Sequence, residues 1–303
     1  MRGSPAGRPH ARGRPLTALG DLTWPEAEKL AAAGAVLAVP VGSTEQHGPH
    51  LPLSTDTDIA VALAGRLAAR RSDVIVTPPL SYGSSGEHAH FAGTISIGQE
   101  ALELTLVELG RSAAGTFRHI LLISAHGGND EPVTRATRHL RAEARDVVAW
   151  LPGARPSLIP PEVLGRARAA GHPASADAHA GRTETSIQLA LGPGRVRLDL
   201  AEAGNRAPLG ELMPLLRSSG VRAASPNGVL GDPAGASAAE GAGLLAALEA
   251  DLVAAVSAWL GGQKRARPGA RSTGPAGCHP VNHPHGPPPH VRNDPPPDVR
   301  RGR

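Results

Sequence analysis

Residues 35–58 read AVLAVPVGSTEQHGPHLPLSTDTD. The first seven, Ala35–Val41, are all apolar. A short unbroken apolar run predicts a strand buried on both faces, as in a parallel sheet. The polar stretch that follows holds Glu45 and His47 two residues apart. In an extended segment that spacing puts both side chains on one face. Asp56 comes after a proline-containing excursion long enough to fold back. Two carboxylates and an imidazole suit Zn²⁺, Mn²⁺ or Fe²⁺. The competing reading is a polar loop in which Glu45 and Asp56 only cap or pair.

Outward from this stretch, short apolar runs alternate with amphipathic ones. Helical spacing covers 58–70, 99–117, 129–144, 183–191 and 239–260, and strands are expected at 73–77, 120–124 and 146–151. Strands separated by helices predict βαβ units, hence an α/β fold: a three-layer α/β/α domain with a mostly parallel central sheet. Sites in open sheets of this kind form at the carboxyl ends of the strands. Polar clusters fall there. SAHGGND (124–130) places His126 just past a strand, beside glycines that allow close approach, with Asn129 as an N-cap. DAHAGRTETS (177–186) carries His179 and Glu184, where Thr183, Thr185 or Glu184 can equally serve a helix start. YGSSGEHAHFAGTISIG (82–98) carries Glu87, His88 and His90 in a loop that either lines a pocket or is merely solvated. The irregular, proline-rich stretch 152–178 reads as an active-site loop.

Composition sets outer bounds. The chain has 303 residues, 40% of them apolar and 2% aromatic, so its core is built from Ala, Val, Leu and Ile. Its formal charge of +4 is misleading, because Arg2, Arg8, Arg12 and Arg14 and the basic stretch 263–303 outweigh an acidic body. A nucleic-acid-binding domain is basic on its folded face, so no nucleic-acid partner is expected. Residues 1–14 and 263–303, rich in Pro, Gly and Arg, are expected to be disordered arms around a domain at 15–262. The lone cysteine, Cys278, forms no disulfide within the chain, and no apolar leader or membrane-length run is evident. A cytoplasmic protein without a membrane partner is expected. No nucleophile elbow, phosphate loop or dinucleotide fingerprint is present.

Taken together, EQHGPHLPLSTDTD, GEHAHFAGTISIG, SAHGGND and HAGRTETS resemble the creatininase family of amidohydrolases, over roughly residues 35–260. AGNRAPLGELMP (203–214) and NGVLGDPAGASAAEG (227–241) resemble one branch of it. That branch removes a C-terminal Val-Tyr dipeptide from a modified, ribosomally made precursor peptide. The resemblance implies two divalent metal ions, Fe²⁺ or Zn²⁺, with Mn²⁺ a third candidate. It implies Glu45, His47, Asp56 and His126 as ligands, Asp56 bridging, His179 as the catalytic histidine, and Glu184 as catalytic acid and further ligand. It also implies a ring-like homo-oligomer, often a hexamer. The alternative within the family is hydrolysis of a small cyclic amide or a formamide. One departure stands out: where creatininase has an acidic ligand two residues after the motif histidine, this chain has Gly128. Arg182 and Arg206 are candidates for a substrate carboxylate, with surface arginines the plainer reading.

Overall fold

The computed structural model describes residues 17–152 and 177–265. Four strands form one parallel sheet in the order β2-β1-β3-β4, with β1 Val36–Val41, β2 Val74–Val76, β3 His119–Ser124 and β4 Asp146–Trp150. β1 and β3 are buried along almost their whole length, which is why both read as continuous apolar runs.

Alternation along β1 divides the core. Val36 and Ala38 face α2 (Thr55–Arg70), α5 (Arg182–Leu191) and α8 (Ala238–Arg265). Val39 and Val41 face α3 (Gln99–Ala113) and α4 (Asp130–Ala142). Leu37 packs with Ile75 and Phe117 against α1 (Trp24–Ala32). Helices therefore cover both faces, as an α/β/α sandwich requires. Two further helices, α6 (Leu209–Ser219) and α7 (Val221–Ala224), belong to the segment after α5.

Several elements differ from the expectation. α2 begins three residues early, so Asp56 sits in its first turn and not in a loop. α3 stops at Ala113, four residues short of Phe117. Helix α1 was not anticipated, although Thr23 and Glu26 form a capping box with Pro25 inside it. α6 carries Pro214 in its interior, which argues against a helix by sequence rules.

α8 corrects the expectation that no segment reaches membrane length. The 25 residues Ala238–Gly262 contain an 18-residue window with a mean hydropathy of 1.6. Its Leu244, Leu245, Leu252 and Val256 are nevertheless buried against the sheet. Mid-helix, Glu249 pairs with Arg66 at 2.9 Å and Arg70 at 2.5 Å, so the helix belongs to the core. Residues 263–265, the first three of the arm expected at 263–303, continue α8, while the rest of that arm, the arm expected at 1–14 and most of the 152–178 loop lie outside the described residues.

Candidate metal centre

Register decides where the site forms. Val41, the last residue of β1, pairs with Ser124, the last of β3, so the chain leaves both strands at the same edge. Glu45, Gln46 and His47 follow one strand and His126 the other. Asp56 arrives from the first turn of α2, and Glu184 from the first turn of α5. Two interstrand ties hold the edge: Asn129 Nδ2 donates to the Gly42 carbonyl at 2.9 Å, and Ser84 N–H donates to Asn129 Oδ1 at 2.9 Å. Asn129 is thus not the side-chain cap expected of it.

Glu45, His47, Asp56 and His126 are all buried, and Glu45 and His47 are fully so. His47 Nε2 lies 3.4 Å from Asp56 Oδ1 and 3.9 Å from Glu184 Oε2. His126 lies 3.2 Å from Glu45 Oε2 through Nε2 and 3.2 Å from Asp56 Oδ2 through Nδ1. His179 Nδ1 lies 3.6 Å from Glu45 Oε1. The donor atoms group as Glu45–Asp56–His126, His47–Asp56–Glu184 and Glu45–His47–His179. Asp56 is common to the first two.

The histidines reveal what these groups face. A backbone carbonyl only accepts, so the ring nitrogen beside it must carry the proton. His47 Nδ1–H donates to the Glu45 carbonyl at 3.0 Å, His126 Nε2–H to that of Ser84 at 3.0 Å, and His179 Nε2–H to that of Gln46 at 2.8 Å. Each ring then turns a bare nitrogen towards carboxylate oxygens. His47 Nε2 and both Glu45 oxygens have no hydrogen-bond partner. Lone pairs facing lone pairs in a dry pocket repel unless a proton or a cation lies between them. Imidazoles fixed through their second nitrogen are the usual environment of metal-binding histidine. The residues therefore fit a divalent cation.

The electrostatics of the empty cluster say the same. Burial pushes the Glu45 carboxyl up to about 7, against the pull of His126. Burial likewise carries Glu184 up to about 7, against His47. Burial lowers His47, but Asp56, Glu184 and Glu45 together outweigh it and carry the imidazole up to about 10. Burial also opposes ionisation of Asp56, yet His47 and His126 hold it well below the usual carboxylate range. His179 is held well below its ordinary value, first by burial and then by His47 and His88.

Other residues enter that the sequence left open or passed over. His88 is buried, with Nε2 3.2 Å from Glu45 Oε1 and its ring 4.5 Å from that of His179. His90 is exposed and stays outside. Gln46 was overlooked. Its Oε1 accepts from Gly48 N–H at 2.8 Å, and its amide donates to His88 Nδ1 at 2.8 Å and to the Gly228 carbonyl at 3.1 Å. Gly228 has φ 80°, and a Cβ there would stand 2.0 Å from Gln46 Oε1, so only glycine fits. Leu230 clamps His179 by backbone bonds in both directions. Ala180 takes φ 52°, and its N–H donates to Glu184 Oε2 at 2.6 Å. Ser43 Oγ donates to Asp56 Oδ2 at 2.5 Å. Thr183 bonds Asp177 and Thr185 bonds His50, so neither caps α5.

Arg182 and Arg206 are not free for substrate. Arg182 forks onto Glu240 at 2.9 and 3.0 Å, and Arg206 pairs with Asp232. Arg222 is exposed, with no carboxylate partner among the described residues, and donates through Nη1 to the His90 carbonyl at 2.8 Å. It lies over the Phe91 ring at 5.4 Å and, with Leu53, Phe91, Leu200 and Gln46, lines a cavity of about 440 Å³.

The chain is similar to known proteins. The chain is 50% identical over 211 residues to the mycofactocin precursor peptide peptidase of Mycolicibacterium smegmatis, a match covering 68% of this chain and 78% of that protein. Among solved structures, one described as creatininase Mn aligns with TM-score 0.69 and 28% identity over 80% of this chain and 98% of its own. A creatininase variant described as Zn-Zn type aligns with TM-score 0.67 and 28% identity over 80% and 98% of the two chains. The creatininase model, described as creatinine amidohydrolase, matches residues 20–256, and the chain belongs to the creatininase family.

Proposed function

We propose that this hydrolase of C–N bonds is a metallopeptidase that removes the C-terminal Val-Tyr dipeptide from the modified mycofactocin precursor peptide. The reading of a metal centre is carried by the three imidazoles that turn bare nitrogens on buried carboxylates. The choice of substrate is supported by the 50% identity to a peptidase of that name. It is also supported by the segment 227–241, whose Gly228 and Leu230 hold Gln46 and His179 in place.

In this reading Glu45, Asp56 and His126 would hold one ion and His47, Asp56 and Glu184 the other, Asp56 belonging to both sets. Zn²⁺ and Fe²⁺ suit the mixed donor set, and Mn²⁺ is the third candidate. Bound ions supply Lewis-acid polarisation of the scissile carbonyl and a water acidified to near neutrality. The protein's own part is proton movement. His179 keeps its Nε2 proton on the Gln46 carbonyl, so Nδ1 is the atom that takes a proton from the attacking water. The same atom returns it to the departing amine, the step without which an amine does not leave. Glu184, tied to Ala180 N–H, keeps the other flank of the site anionic. The cavity beside Gln46 is of the size that receives small ligands or peptide ends. A cytoplasmic homo-oligomer is the expected setting.

The test is incubation of the modified precursor peptide with the metal-loaded protein, followed by mass spectrometry. A product lighter by the C-terminal dipeptide-derived fragment is expected. Hydrolysis of creatinine or a formamide with the peptide left intact would overturn the substrate and favour the small-amide alternative.

A further inference from the structure

Gly128 stands where the family resemblance places an acidic ligand, and no side chain fits there. A Cβ would lie 2.2 Å from the Ser84 carbonyl oxygen and 2.5 Å from His126 Nε2. It would also lie 2.9 Å from Glu87 Oε1. A carboxylate from a different loop already borders the space that the absent side chain leaves.

Glu87 belongs to the 3-10 turn Gly86–His88, and its neighbours all serve the same centre. The Ser84 carbonyl takes the His126 Nε2 proton at 3.0 Å, and Ser85 Oγ lies 3.3 Å from the same nitrogen. His88 Nε2 lies 3.2 Å from Glu45 Oε1. Glu87 is itself half-buried and has no ion pair or side-chain hydrogen bond among the described residues. A partly desolvated carboxylate with no partner is unfavourable unless positive charge stands close by. The group nearest to it across the Gly128 backbone is the Nε2 edge of His126, a member of the Glu45–Asp56–His126 donor set.

We propose that Glu87 supplies the negative charge that position 128 cannot, from beside the Nε2 edge of His126, and so strengthens the hold of the Glu45–Asp56–His126 set on a divalent cation. The acidic group has moved from the segment after β3 to the turn that lies over it. The proposal rests on the reading of those three residues as metal donors.

Zn²⁺ titration against a chromophoric chelator, on metal-free wild type and E87Q, tests it. Wild type takes up two ions. E87Q holds one of them as wild type does and the other about 10–100-fold more weakly, the usual cost of losing an outer partner. Excess Zn²⁺ restores hydrolysis to E87Q by mass action, which a packing defect in the turn would not allow. The melting temperature of the metal-free form stays that of wild type. Equal affinities for both ions in the two proteins overturn the role of Glu87, as does a loss of hydrolysis that excess Zn²⁺ leaves unchanged. Wild type that binds no Zn²⁺ at all overturns the metal reading instead.

Discussion

His179 Nδ1 and Glu45 Oε1 face one another at 3.6 Å, while the opposite edge of the ring, Nε2, rests on the Gln46 carbonyl at 2.8 Å. An acceptor opposite an acceptor in a buried site is repulsive, and His47 Nε2 and His126 Nδ1 face Asp56 in the same way. Removing metal should therefore abolish amide hydrolysis, and Zn²⁺, Fe²⁺ or Mn²⁺ should restore it. Full turnover by a preparation that elemental analysis shows to be free of metal would rule this out.

Without metal, the site should weaken the fold as pH rises. Glu45 and Glu184, raised to about 7, favour the protonated form when folded, so their burial costs most once pH exceeds that value. His47, raised to about 10, contributes stability below its unfolded value and loses it as pH climbs through about 10. His50 and His88, lowered to about 4 and about 3, act oppositely but only below the unfolded histidine value. Metal binding removes the same protons, so its stabilising effect grows with pH. Melting temperatures of metal-free and loaded protein at about pH 7 and about pH 9 should diverge at the higher value. A gap that narrows would contradict this.

Asp56 touches His47 through Oδ1 at 3.4 Å and His126 through Oδ2 at 3.2 Å. Asp56→Ala should therefore lose both ions, whereas His47→Ala should mainly lose one. Elemental analysis of the two variants checks this, and near-complete occupancy of Asp56→Ala would exclude a bridging carboxylate.

His179→Ala should fold and keep its metal while kcat falls about 10²–10⁴-fold, the loss expected when a proton shuttle goes. Steady-state kinetics beside elemental analysis separates the outcomes. Lost metal would make His179 a ligand, and an unchanged kcat would remove it from the chemistry.

Gly128→Ala should disturb the centre from outside, since the new methyl would press on the Ser84 carbonyl and the His126 ring. Breaking that bond frees the imidazole. A loss of about 1–3 kcal/mol of stability is expected together with weaker metal retention. Thermal melting that matches wild type would show that the turn gives way freely.

The sheet was legible because β1 and β3 are buried on both faces, where side chains of one kind suffice for a full strand. Glu45, His47 and His126 stood out because they follow those strands within a few residues, whereas Asp56 and Glu184 come from the first turns of helices. What escaped was whatever depends on distant partners. Arg182 and Arg206 look available in sequence, yet Glu240 and Asp232, far along the chain, neutralise them. His88 cannot be told from solvated His90 until the loop folds over Glu45. Gln46 gave no signal, since an uncharged amide between two conspicuous ligands looks like filler. α6 was hidden by Pro214 and α1 by a capping box that went unread.

The three imidazoles each rest on a main-chain oxygen. Any amino acid supplies that oxygen, so the geometry of the centre is written into the path of the backbone and not into the identity of neighbouring residues. The surrounding walls can then change one residue at a time, as at Gly128, while the backbone path that aims the imidazoles stays the same.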